Sequence, residues 1–386
     1  MANSFAPPLR LADAEHGVAY RDEKAFCGWP FICGFWTAAN GDYLVAFQKK
    51  DADYTDAGAI NHDEVARVGP KIFTLRSADR GQTWDPRSLQ LLFDLGSDQD
   101  AVFRDLPPDY SGEPPLDFAD PDVLVASGST PDYFRPHSRA WIRVSPDGGR
   151  SWRHPILAPN VGLPSVSGHA SPLVRPDGVS LLFMTVVTED GWKRRPAVYA
   201  AVEGGAYWTF MSFITPEFDD GAGWADRSLP LRFSPHRYFY PRPILLPGGR
   251  ILCSVRCQRD PTSVFWTEVF ASDDGGRTWS LLSRVNDWGS PGDLVHMADG
   301  RVACVYGYRL PPFGIRARIS EDGGATWGRE LVLRDDGGSW DLGYPRVVES
   351  EPGTLLAVYY MNTRDDPVQM NGGVRHIAWT RFKPPA

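Results

Sequence analysis

Chemistry-bearing side chains in this 386-residue chain gather just ahead of apolar hairpins. In chain order they are Trp29, Asp120, His169, Tyr240 with Arg242, Asp293, and Tyr344 with Arg346. Packing asks for apolar residues at such strand starts, so polar groups collected there mark a candidate site. Histidine and tyrosine can act as general bases, with arginine neutralising an acid beside them. A phenol is a poor nucleophile at neutral pH unless a base or a positive field helps it. Arg242, Arg256 and Arg346 would supply that field. Arginines at a site in a chain of net charge −8 imply an anionic group on the bound molecule.

These positions become neighbours only if the hairpins surround one axis, and the repeats provide such an arrangement. The pattern Ser-x-Asp-x-Gly-x-Thr/Ser-Trp occurs four times, at Ser77–Trp84, Ser145–Trp152, Ser272–Trp279 and Ser320–Trp327. Its Asp can bond the backbone amides of its own turn. Its Gly accepts a positive φ, and its Trp can plug an apolar gap beside the turn. These residues read as structural. Apolar hairpins turn at Asn40-Gly41, Asp177-Gly178, Gly248-Gly249, Asp299-Gly300 and Pro352-Gly353. The interval from Gly41 to Gly178 is about twice the others, and Asp120–Val125 fills the gap. A degraded copy of the pattern at Val202–Trp208 completes the series. Six units of this kind predict an all-β fold, a six-bladed β-propeller of four-stranded antiparallel blades, with residues 1–386 as a single domain. Residues from about Leu9 to Tyr20 would close the ring. The long loops Lys49–Lys71, Gly96–Ala119 and Pro216–Tyr240 would lie on one, binding, face.

The eight-residue pattern resembles the Asp-box, or bacterial neuraminidase repeat, of the sialidase-like β-propellers, and the likeness runs from about Phe31 to Phe382. The resemblance implies a Tyr nucleophile at the start of the sixth blade, where Gly343-Tyr344-Pro345-Arg346 stands. It implies an Asp acid/base on a first-blade loop, for which Asp63 in Asn61-His62-Asp63-Glu64 is the candidate. It also implies three arginines clamping a carboxylate. Ser254-Val255-Arg256 matches the second, and Arg309, Arg316 and Arg318 lie near the place of the third. The first arginine is replaced by Cys27-Gly28-Trp29-Pro30, and the Glu that partners the nucleophile by Tyr240-Pro241-Arg242. A Tyr nucleophile suits sugars with a carboxylate on the anomeric carbon, which would repel an anionic one; sialidases depart from the two-carboxylate scheme in this way.

The function implied is that of a sialidase-like exo-glycosidase that hydrolyses a terminal, acidic sugar from a glycan. Tyr344, Asp63, Arg256, Arg242 and His169 are its catalytic candidates. Arg346, Asp120, Tyr240, Arg309, Trp29 and Asp293 would bind substrate. Two other readings stay open: a polysaccharide lyase or neutral-sugar glycosidase on the same scaffold, with His169, Tyr240 or Tyr344 as base, and a glycan-binding propeller without catalysis.

Other classes fit poorly. No basic run suggests nucleic acid or an anionic membrane surface. No apolar stretch of about 18 residues suggests a membrane span. No His/Cys spacing suggests zinc, and no Gly-rich loop between strand and helix suggests a nucleotide, so no metal or cofactor is expected. The five cysteines sit in apolar strands and read as buried thiols. With no leader pattern in Met1–Arg10, the expected compartment is the cytoplasm; a secreted chain trimmed of its signal would look the same. Oligomeric state leaves no mark in the sequence.

Overall fold

The structure is a computed structural model that describes residues 6–55, 71–94, 96, 103–129, 138–187, 194–216, 237–258, 264–366 and 373–385. Six small sheets form the six blades expected from the repeats. Blade 4 is the simplest, running from the innermost strand Arg237–Leu245 through Ile251–Gln258 and Phe265–Ser272 to the outer Ser280–Arg284. The second strand is buried along its whole length and the outermost is largely exposed. Strands wedged between neighbouring sheets are therefore buried on both faces and carry mostly apolar residues, whereas outer ones do not.

The other blades vary this plan. In blade 1 the inner strand is split into Ala25–Gly28 and Phe35–Thr37 by a helical turn, Pro30–Cys33. In blade 3 it is split into Ser165–Ser167 and Pro172–Val174. Blade 5 begins at Gly292–His296 and blade 6 at Gly343–Glu351. The N-terminal segment closes the ring as expected, because Glu15–Tyr20 pairs antiparallel with His376–Phe382 as the outer strand of blade 6. The sequence did not foretell Leu9–Arg10, which adds a parallel strand to the outer edge of blade 5 at Leu331–Arg334.

Blade 2 shows three strands among the described residues: Leu124–Ser129, Ala140–Ser145 and Ile156–Leu157. Ala140–Ser145 leads into the turn at Asp147, the place held by the third strand in blade 4, so Leu124–Ser129 is a second strand. Asp120 therefore does not open an innermost strand, contrary to the expectation. It lies in an exposed turn, where its carboxylate accepts the Asp122 amide at 2.9 Å. Asp followed by Pro favours such a turn over a strand start.

Each junction between blades has its own apolar core. Leu252 and Val269 of blade 4 meet Leu294 and Cys304 of blade 5, and Leu355 and Tyr359 of blade 6 meet Val305 and Ala317 of blade 5. The four eight-residue turns fasten these junctions. In each, the Ser hydroxyl accepts the amide of the fixed Gly (Gly81, Gly149, Gly276, Gly324) at 2.7, 2.8, 2.9 and 2.8 Å. The Asp accepts the amide of the Thr or Ser four residues on, at 2.8–2.9 Å. Gly149 has φ 79°, and a Cβ there would sit 2.4 Å from Leu44 of the preceding blade, so the turn can press close only without a side chain. Trp327 buries its ring and donates its indole N–H to Ser283 at 2.9 Å.

Candidate active site

Three aromatic residues have left-handed backbone near the axis: Tyr240 (φ 59°) and Tyr344 (φ 50°) on inner strands, and Trp29 (φ 60°) at the head of the helical turn that splits the inner strand of blade 1. Each precedes a proline, Pro30, Pro241 or Pro345. Ladder pairing skips from Phe239 to Arg242 in blade 4 and from Gly343 to Arg346 in blade 6, so Tyr240 and Tyr344 ride on twin bulges. Bulges re-aim side chains near functional sites. Left-handed non-glycine residues cost about 1–3 kcal/mol each and cluster at such sites.

The re-aimed rings meet. Tyr240 and Tyr344 lie with ring centroids 5.6 Å apart, and Phe31 packs edge-on against both at 6.2 Å. The Tyr344 hydroxyl accepts a hydrogen bond from Arg256 Nη1 at 3.0 Å and points its own proton toward the Tyr240 hydroxyl at 3.5 Å. The Arg309 guanidinium lies 5.2 Å from the Tyr344 ring centre and 5.6 Å from that of Trp340. Among the described residues, the buried Nε atoms of Arg256 and Arg309 have no hydrogen-bond partner. Burial works against the Arg309 charge, but Tyr360, Tyr344, Asp341 and Tyr240 outweigh it and hold the group above its ordinary pKa. Of the three arginines near the family's third position, Arg309 is the one at the tyrosine. Arg316 stacks on Tyr308 and Arg318 bonds the Gly328 carbonyl.

Arg242 and Arg346 point elsewhere, and they share Asp293. Arg242 Nε lies 3.2 Å from Oδ1, and Arg346 Nε lies 3.1 Å from Oδ2. Oδ2 also accepts the Val347 amide at 2.8 Å. Arg242 further donates to the Ala170 carbonyl and the Ser171 hydroxyl of blade 3. Burial, followed by the like charge of Arg346, pulls the Arg242 guanidinium down to about 9, with Asp293 opposing. It remains charged at neutral pH. The four candidate arginines thus divide into a pair at Tyr344 and a pair on a carboxylate.

His169 packs edge-on against Tyr240 at 4.9 Å and its Nε2 lies 3.1 Å from the Thr185 hydroxyl. Burial, then the Arg242 charge, lowers its pKa to about 3, so it is neutral at pH 7. Trp29 is buried, stacked on Phe26 at 4.9 Å and tilted against Tyr360 at 5.7 Å. Asp63 lies outside the described residues, and among the described residues the Asp120 carboxylate bonds within its own turn. Two neighbours were not foreseen. Tyr360 donates its hydroxyl to the buried Asp341, whose Oδ2 lies 3.3 Å from Arg375 Nε. Tyr360 was hidden in the apolar run of a second strand. Asp341 had a signal, as a lone acid three residues before Tyr344.

Six blades around an aromatic and arginine-rich axis define a propeller of the sialidase-like superfamily. The chain belongs to the BNR repeat-like domain family, whose pattern matches residues 117–357. No curated protein matches it. Among solved structures it is similar to a protein of unknown function from Dyadobacter fermentans DSM 18053, with TM-score 0.72 and 22% identity over 97% of this chain and 100% of that one. It is similar to the phage phi92 endosialidase, with TM-score 0.62 and 11% identity over 100% of this chain and 72% of that one. It is also similar to an alpha-L-arabinanase of Penicillium chrysogenum complexed with arabinobiose, with TM-score 0.57 and 15% identity over 96% and 98%. At these identities the likeness is one of fold.

Proposed function

We propose that the chain is a glycoside hydrolase that removes a terminal acidic sugar from a glycan, with Tyr344 as nucleophile. The observation that carries this reading is the Tyr344 hydroxyl held by Arg256 at 3.0 Å beneath the Arg309 guanidinium. The Tyr344 oxygen attacks the anomeric carbon as the bond to the leaving oxygen breaks, and its phenol proton departs through the Tyr240 hydroxyl toward which it points, on to solvent. Asp63 remains the candidate to protonate the leaving oxygen; left as a carboxylate, it then takes a proton from the water that frees the sugar, and the released Tyr344 phenolate regains its proton from solvent. Negative charge gathers on the phenol oxygen when the second step releases it, and two guanidiniums beside it stabilise that charge. The axial groups carry a net positive charge, because Asp293 offsets only one of Arg242 and Arg346. An anionic substrate group is drawn to such a site. Endosialidase and arabinanase activities in propellers of like fold support the hydrolase class.

One observation favours a neutral sugar instead. Arg242 and Arg346 are taken up by Asp293, so three arginines do not converge on one carboxylate. An arabinanase of similar fold fits that reading. A panel of aryl glycosides carrying sialic acid, uronate, arabinose and hexose decides between them. Release from acidic members only, lost in Tyr344→Phe, upholds the proposal. Release from neutral members only transfers the assignment. An ultraviolet-absorbing unsaturated product on uronate polymers would mean a lyase. No release from any member, with ligand affinity retained in Tyr344→Phe, would mean a binding propeller.

A further inference from the structure

We propose that Asp293 is a positioning residue for the tyrosine pair, a role that rests on reading Tyr344 as the reacting group. The inner strands of blades 4, 5 and 6 belong to separate sheets, so no ladder of backbone hydrogen bonds fixes one against another. Asp293, on the inner strand of blade 5, reaches both neighbours. Its Oδ1 takes Arg242 of blade 4 and its Oδ2 takes Arg346 and the Val347 amide of blade 6. Each arginine is the third residue of a Tyr-Pro-Arg bulge, at 240–242 and 344–346. One carboxylate therefore sets two bulges, and the bulges set two phenols 3.5 Å apart. Arg242 extends the same network to Ser171 of blade 3, beside the His169 that braces Tyr240. Four blades thus meet at the backs of the tyrosines through one acidic side chain, itself only 3% exposed.

A carboxylate that merely held blades together would affect melting but not the turnover of folded molecules. Asp293→Asn keeps the shape and removes the charge. Its kcat should fall about 100-fold with KM within threefold of wild type, the scale expected for a displacement of about 1 Å at a reacting group. Asp42→Asn, which loosens the Arg76–Asp42 pair of 2.9 Å far from the tyrosines, serves as the stability control and should keep kcat within about twofold. A crystal structure of Asp293→Asn should show the Arg256–Tyr344 contact opened beyond hydrogen-bond reach. Should Asp293→Asn fail to fold, Arg242→Met leaves Asp293 paired with Arg346 and should lower kcat about tenfold at unchanged KM. Retained kcat in a folded Asp293→Asn, or in Arg242→Met where that is the variant measured, overturns the inference while the hydrolase reading stands. A wild type that releases no sugar defeats the hydrolase reading, and the Arg256–Tyr344 distance in the variant crystal then decides the positioning role alone.

Discussion

Replacing Arg256 with methionine removes the guanidinium that touches the Tyr344 oxygen and keeps most of the side chain's volume. The loss for catalysis is the attraction between that guanidinium and the charge gathering on the phenol oxygen. For unit charges about 4 Å apart near an effective dielectric of about 20, it amounts to about 4 kcal/mol. At 1.4 kcal/mol per decade, turnover should drop about 1,000-fold. Stability should respond far less. The variant loses a charged hydrogen bond of about 1.5–3 kcal/mol. It also loses the stacking of the guanidinium on Phe239 and Phe265, whose centres lie 4.8 and 4.2 Å away, at about 0.5–2 kcal/mol each. Against this, it no longer buries a cation whose Nε has no partner among the described residues, a burial that itself costs several kcal/mol. Net destabilisation should stay within about 2 kcal/mol. Kinetics on the glycoside that the wild type cleaves, with urea unfolding alongside, separate the two effects. An Arg256→Met protein that folds and works within tenfold of wild type would refute the idea that Arg256 serves the tyrosine.

Tyr344→Phe should abolish sugar release below about one part in 1,000 while costing about 1–3 kcal/mol in urea unfolding, because Arg256 Nη1 loses its acceptor. Gly343→Ala should destabilise by about 3 kcal/mol and impair turnover. Gly343 has φ 98°, and the added Cβ would lie 2.8 Å from the Gly307 backbone, directly before the nucleophile. The eight-residue turns should fail in acid. In Asp274, burial raises the pKa, but the Thr278 hydroxyl and amide, the Ser272 hydroxyl and the Arg277 amide outweigh it and lower the value from 3.8 to about 2. A carboxylate depressed in the folded state stabilises fully above its unfolded value and loses that contribution as pH falls through the folded one. After discounting for its partial exposure, Asp274 should contribute about 1 kcal/mol above pH 4, vanishing toward pH 2. Melting curves of Asp274→Ala and wild type should therefore converge at low pH; a gap that widens on acidification would contradict the argument.

The turns were legible because their chemistry is local: Ser, Asp, Gly and Thr bond one another within a few residues, so spacing alone exposes them. The hairpins carried Gly at tight turns for the same reason. Blade 2 was harder. Without a Gly turn to mark it, its second strand passed for an innermost one, and Asp120 was carried with it. The site was legible as a set of residue types but not as a set of partners. Tyr344 and Arg256 are 88 residues apart, and nothing in either neighbourhood says that they touch. Nor does sequence reveal that Asp293 sits between Arg242 and Arg346, which turns one catalytic and one substrate-binding candidate into an internal ion cluster. The Tyr-Pro-Arg duplication at 240 and 344 was the one available signal, since a proline after an aromatic residue at two inner-strand starts marks a repeated bulge.

The outer strand of blade 6 comes from the start of the chain, and its partner comes from the end: His16 and Thr380 share a 2.9 Å contact across 364 residues. On the ribosome, at about 5–20 residues per second, that contact waits on the order of 20–70 s for its second half to be made. Until then residues 15–20 have no strand to join. Afterwards, the nascent blade 6 still offers a bare sheet edge to any other extended chain until they arrive. Closure is thus a late event, and the risk of aggregation should concentrate in that interval, so chaperones that shield strand edges should raise the yield more than any substitution at the axis.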